Sequence, residues 1–92
     1  MRSTMIFVTL VKFRRKPTKA DQAETAKTFA QQEKLGIKNL SIYWTFGRYD
    51  AIRIFEAPDE KVAMKALTKA PDYVVTETMV DLRREDAEKL LD

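Results

Sequence analysis

The sequence predicts an α+β, ferredoxin-like domain of order βαββαβ: a four-stranded antiparallel sheet with two helices on one face and a short C-terminal helix. Three observations lead there. Four runs rich in β-branched and aromatic residues are spaced by two helical patterns. The middle two runs meet at one tight turn, which makes them a hairpin. With only two glycines and three prolines, the 92 residues leave no room for a linker or second domain.

Residues 4 to 13, TMIFVTLVKF, form the first predicted strand, which ends in a charged stretch closed by Pro17. A helix follows. Thr18 can cap it together with Asp21 three positions on, while Ala23, Ala26, Phe29 and Ala30 recur at helical spacing as its packing side. Gly36 supplies the left-handed stop.

The second strand, Ile37 to Phe46, alternates Leu40, Ile42, Trp44 and Phe46 with Ser41, Tyr43 and Thr45. A type II′ turn at Gly47-Arg48, glycine first, sets the register: Phe46 opposite Tyr49, Thr45 opposite Asp50, Tyr43 opposite Ile52. The third strand runs from Tyr49 to Glu56. Pro58 suits the first turn of the next helix, and Asp59 and Glu60 suit its dipole. That helix reaches about Lys69, with an apolar arc from Val62 to Ala70 and a solvated stripe of Lys61, Lys65 and Lys69. Pro71 ends it. Tyr73 to Leu82 is the fourth strand, with Val74 and Val80 on one side and Glu77 on the other, and a tail helix carries Ala87, Leu90 and Leu91.

A chain this short buries only about three fifths of its extended surface. It has no cysteine for disulfides and no histidine, so extra burial must come from elsewhere. The strands are apolar on both sides, yet two helices cover one face. A second copy packed sheet to sheet about a two-fold axis is the simplest cover for the other.

At 45% hydrophobic and 34% charged residues, the composition is that of a globular protein, and a formal charge of +3 names no partner by itself. The N-terminal apolar run is too short to span a bilayer and lacks a small-residue cleavage site, so a cytoplasmic protein with no membrane partner is expected. Without histidine or cysteine there is no imidazole base, thiolate nucleophile, or His- or Cys-ligated metal or haem. Carboxylate, tyrosine, lysine and arginine chemistry remains, and no cofactor or metal is expected.

The candidate site lies around the hairpin: Tyr43, Arg48, Tyr49 and Asp50, with Trp44 as an apolar wall and Glu77 entering from the fourth strand. Two readings compete. Such a set can hold a small aromatic ligand, with Asp50 or Glu77 as a base and tyrosine or arginine on an oxyanion. Equally, these aromatics are ordinary core or interface residues, and Asp50 bonds turn backbone or Arg48. Lys12, Arg14, Arg15 and Lys16, with Arg83 and Arg84, offer a basic patch. The glycine-rich aromatic motif of sheet-face RNA binders is missing, so nucleic acid is not the expected partner.

The segments SIYWTFGRYDAIRIFEAPD and VVTETMV resemble the GYD domain proteins, grouped with the dimeric α/β-barrel superfamily. The likeness spans nearly the whole chain. It is most specific at Gly47-Arg48-Tyr49-Asp50, Glu56-Ala57-Pro58-Asp59 and Thr76-Glu77-Thr78. Arg53 departs from the pattern, standing where relatives often carry an aliphatic residue. The resemblance implies a homodimer with face-packed sheets. It leaves function open between a binder of a small hydrophobic or aromatic metabolite and a cofactor-independent enzyme, monooxygenase- or isomerase-like.

Overall fold

In the computed structural model, which describes residues 4–91, the elements follow the order β1 (Met5–Phe13), α1 (Lys19–Glu33), β2 (Lys38–Trp44), β3 (Ala51–Ala57), α2 (Glu60–Leu67), β4 (Val74–Asp81) and α3 (Arg84–Glu88). The sheet order is β2-β3-β1-β4, and every neighbouring pair is antiparallel. This is the ferredoxin-like arrangement that the sequence predicts.

Helix starts are fixed as their residue types require. Thr18 accepts from the Asp21 backbone N–H at 3.1 Å, and the Asp21 carboxylate accepts from the Thr18 N–H at 2.7 Å, completing a capping box. Asp59 caps α2 by accepting from the Val62 N–H at 2.9 Å. Both glycines have positive φ: Gly36 at 92° turns the chain after α1, and Gly47 at 101° opens the hairpin turn. Arg48 does not share the positive φ, but no backbone hydrogen bond joins Phe46 to Tyr49, so the tip is an open bend and not the closed II′ turn expected.

The hairpin register agrees with the expected one where the ladder forms. Tyr43 lies opposite Ile52 and Trp44 opposite Ala51, while the Thr45 N–H donates to the Asp50 carbonyl at 2.9 Å. Phe46 and Tyr49 lie beyond the ladder, and Phe46 is fully exposed. A bulge at Leu40, between Asn39 and Ser41, was not expected. It puts Asn39, opposite Phe55, on the same sheet face as Ile42, opposite Arg53, where strict alternation would separate them.

The core sits between the sheet and α2. Phe7 and Phe55 stack with centroids 5.3 Å apart, and Ile37, Ala57, Ala63 and Ala66 close around them. Small alanines let α2 approach closely. Its end differs from expectation: regular helix stops at Leu67, and Met64 faces outward. Leu90 and Leu91 lie past the end of α3 and are exposed.

Helix α1 packs differently from the expected alanine stripe. Ala23, Ala26 and Ala30 are exposed, and the side turned to the sheet carries Thr25, Thr28, Phe29 and Gln32. The reason lies beneath it. That half of the sheet presents Arg53, which a dry alanine surface would leave without the amide of Gln32. The helix therefore stands off and leaves a cleft.

Among the described residues nothing covers the opposite sheet face. Alternation puts Val8, Leu10, Ile52 and Ile54 at its centre, flanked by Tyr43 and Met79, which are 59% and 47% exposed.

Candidate functional site

The cleft between the sheet, α1 and the C-terminal end of α2 has a volume of about 960 Å³. Alternation along the strands builds its floor. Thr9, Val11 and Phe13 of β1, Ala51 and Arg53 of β3, and Ile42 and Trp44 of β2 share this face.

Its open end is aromatic. Phe13 meets Trp44 edge-on at 5.6 Å between centroids and Tyr73 at 6.3 Å. Arg15 lies over the Tyr73 ring at 4.5 Å and forks onto Asp21 at 2.7 and 3.1 Å. This fork, with the Thr18 N–H, holds the Asp21 carboxyl well below the usual carboxylate range and raises the Arg15 guanidinium.

The inner end is built around Arg53, which is only 9% exposed. Its Nε donates to Asn39 Oδ1 at 2.6 Å and its Nη2 to Gln32 Oε1 at 2.7 Å. The guanidinium is sandwiched between the rings of Phe29 and Phe55, each 4.5 Å from it. Contacts of this kind contribute roughly 1–2 kcal/mol when desolvated. Burial lowers its pKa to about 10, which still leaves it charged at neutral pH. Both hydrogen-bond partners are neutral amides, and among the described residues no carboxylate pairs with it. Beside it Thr9, opposite Arg53 in the ladder, shares a hydrogen bond of 2.8 Å with the Thr78 hydroxyl.

The six sequence-predicted residues are not brought into one pocket. Trp44 lines the cleft. Tyr43 points from the opposite face. Arg48 is exposed at the hairpin tip, 5.9 Å from the Tyr49 ring. The Tyr49 hydroxyl reaches across β1 to donate to the Glu77 carboxylate on the uncovered face, and that bond raises the tyrosine pKa. Asp50 is engaged with backbone, its carboxylate accepting from the Phe13 N–H at 2.8 Å.

Arg53 was not among the sequence-predicted residues. Two signals could have identified it: its departure from the aliphatic habit of relatives, and its spacing of two from Ala51 and Phe55, which points it inward. The basic residues expected as a patch are divided. Lys12 to Lys16 lie at the C-terminal end of β1 and just past it, whereas Arg83 and Arg84 follow β4 at the opposite end of the sheet.

Among the described residues no group of three or more acidic side chains could hold a metal ion, and no helix is long and apolar enough to cross a membrane. No curated protein matches the chain. The GYD domain model matches residues 7–91, nearly the full length and including the hairpin, the Pro58 turn and the Thr76-Glu77-Thr78 segment; the chain belongs to the GYD domain family.

Proposed function

We propose that this protein binds a small hydrophobic or aromatic metabolite in the cleft beneath α1, without a cofactor, and works as a homodimer joined through its open sheet face. The observation that carries the reading is the cleft of about 960 Å³, at the upper end of the ~300–1,000 Å³ typical of small-molecule sites, in a chain of 92 residues. The ring cluster of Phe13, Trp44 and Tyr73 suits a flat apolar body.

The dimer rests on the uncovered face. Four strands at ~4.8 Å spacing and eight residues at ~3.3 Å give roughly 500 Å² of projected sheet face, apolar at its centre, and more once side-chain relief is counted. That approaches the ~800 Å² per partner of a standard interface. Binding is favoured over turnover because the groups considered as bases are engaged away from the cleft, Asp50 by backbone and Glu77 by Tyr49 on the other face.

Trp44 is the single tryptophan and lines the cleft, so its emission reports on occupancy directly. Aromatic acids, quinones and fatty acyl compounds are titrated against the purified protein, with thermal shift alongside. Saturable change in Trp44 emission with the compound recovered intact supports a binder. Consumption of the compound would make it an enzyme, and a flat response across all three classes would reject the ligand reading.

A further inference from the structure

We infer that the cleft selects monocarboxylates, with the ligand's carboxylate seated on Arg53 and its apolar body lying toward Phe13, Trp44 and Tyr73. This rests on the ligand reading above and adds the chemical class.

Arginine has five N–H donors, of which two are used, by Asn39 and Gln32. Three remain, on Nη1 and the second hydrogen of Nη2. Nη1 has no protein partner, yet no buried side-chain nitrogen or oxygen among the described residues is sealed away without one. Nη1 therefore opens into the space that Arg53 lines. A fork of parallel N–H groups matches the two oxygens of a carboxylate.

Charge sets the valence. A buried guanidinium is expensive unless paired, and here both of its fixed partners are neutral. The deficit is one unit of negative charge, which a monoanion cancels and a dianion overshoots. Other carboxylates of this chain that border the cleft are committed or distant. Asp21 is held by Arg15 and the Thr18 N–H, Glu24 pairs with Lys27 at 3.5 Å on the solvent side, and Asp72 stands exposed next to Tyr73 at the open end. The Thr9–Thr78 pair, sharing one bond between two hydroxyls, leaves one hydroxyl hydrogen unspent next to Arg53.

Spacing sets the shape. Arg53 and Ala51 share a face two residues apart, roughly 6.6 Å along the strand. Trp44 lies opposite Ala51, so rings begin about one aryl length from the charge. A compact aromatic or short branched acid spans that distance.

The test uses matched pairs on the full chain: 2-naphthoate against 2-naphthamide, phenylacetate against phenylacetamide, and octanoate against octanamide. Affinity is read by calorimetry and Trp44 emission, and the Arg53 Nε–H resonance is followed by NMR in ¹⁵N-labelled wild-type protein. The acids are expected to bind roughly tenfold or more tightly than their amides and to move the Arg53 resonance. R53Q should erase that preference, and R53K should restore part of it. Equal affinity for acids and amides in wild type, or acid binding without a shift at Arg53, overturns the carboxylate assignment and leaves the ligand reading standing. If no acid or amide perturbs cleft residues, both fall. Because the wild-type comparison decides by itself, a poorly folded R53Q does not rescue the assignment.

Discussion

The Asp50 carboxylate accepts the Phe13 backbone N–H at 2.8 Å, while the Asp50 N–H donates to the Val11 carbonyl at 2.8 Å. One residue at the foot of the hairpin thus ties β3 to the last turn of β1 through both its side chain and its backbone. Asp50→Ala leaves the Phe13 donor unsatisfied and should cost about 1–3 kcal/mol in urea denaturation. Asp50→Asn keeps an acceptor oxygen and should cost less. If the alanine variant were as stable as wild type, this tie would contribute nothing.

Gly36 and Gly47 both have positive φ, but their surroundings differ. A Cβ on Gly36 would lie 2.8 Å from Pro58 Cγ, whereas one on Gly47 meets nothing within 4 Å. Gly47→Ala should lose about 1 kcal/mol from backbone strain alone, and Gly36→Ala clearly more. Paired chemical denaturation curves check the order, and equal losses would contradict it.

Phe55 is fully buried and stacks on Phe7 and against Arg53. Phe55→Ala should cost about 3–5 kcal/mol, enough to unfold most of a marginal domain at 37 °C, as followed by circular dichroism.

The depressed Asp21 carboxyl gives a sign to the acid response. Its folded pKa lies below the unfolded one, so its contribution is complete above the ordinary carboxylate range and is lost as pH falls below it. Thermal unfolding measured across acid pH should fall more steeply in wild type than in Asp21→Asn. Identical slopes would show that the Arg15–Asp21–Thr18 cluster does not couple to folding.

The uncovered sheet face predicts the oligomeric state. Ile54→Glu puts a charge at its centre and should convert a dimer to a monomer in light scattering at micromolar concentration, with the helix-side core untouched. A monomeric wild type would reject the proposed interface.

Much of the fold was legible because local chemistry and fold agree. Thr18 with Asp21 and Gly36 each admit few conformations, and the structure uses them as expected; Asp59, expected only to favour the helix dipole, instead caps α2 with Pro58 just before it, and the Gly47 turn keeps the register without a closing hydrogen bond. Less legible were features decided by partners distant in sequence. Helical spacing correctly gathered Ala23, Ala26 and Ala30, but which side of α1 faces the sheet depends on Arg53, more than twenty residues away on β3. The candidate site failed for a related reason. An aromatic-rich hairpin looks like one cluster in sequence, while strand alternation sends Tyr43 and Trp44 to opposite faces. Arg53, placed by that same alternation, looked merely irregular for its family.

The extra residue at Leu40 works as a phase shifter. Take it out and the β2–β3 ladder becomes regular, yet Ile37 and Asn39 can no longer keep their sides while Ile42 and Trp44 keep theirs. Either the core loses Ile37 and the guanidinium its amide together, or Ile42 and Trp44 leave the cleft. A length change of one residue, invisible to any measure of hydrophobicity, would therefore set one end of the strand against the other.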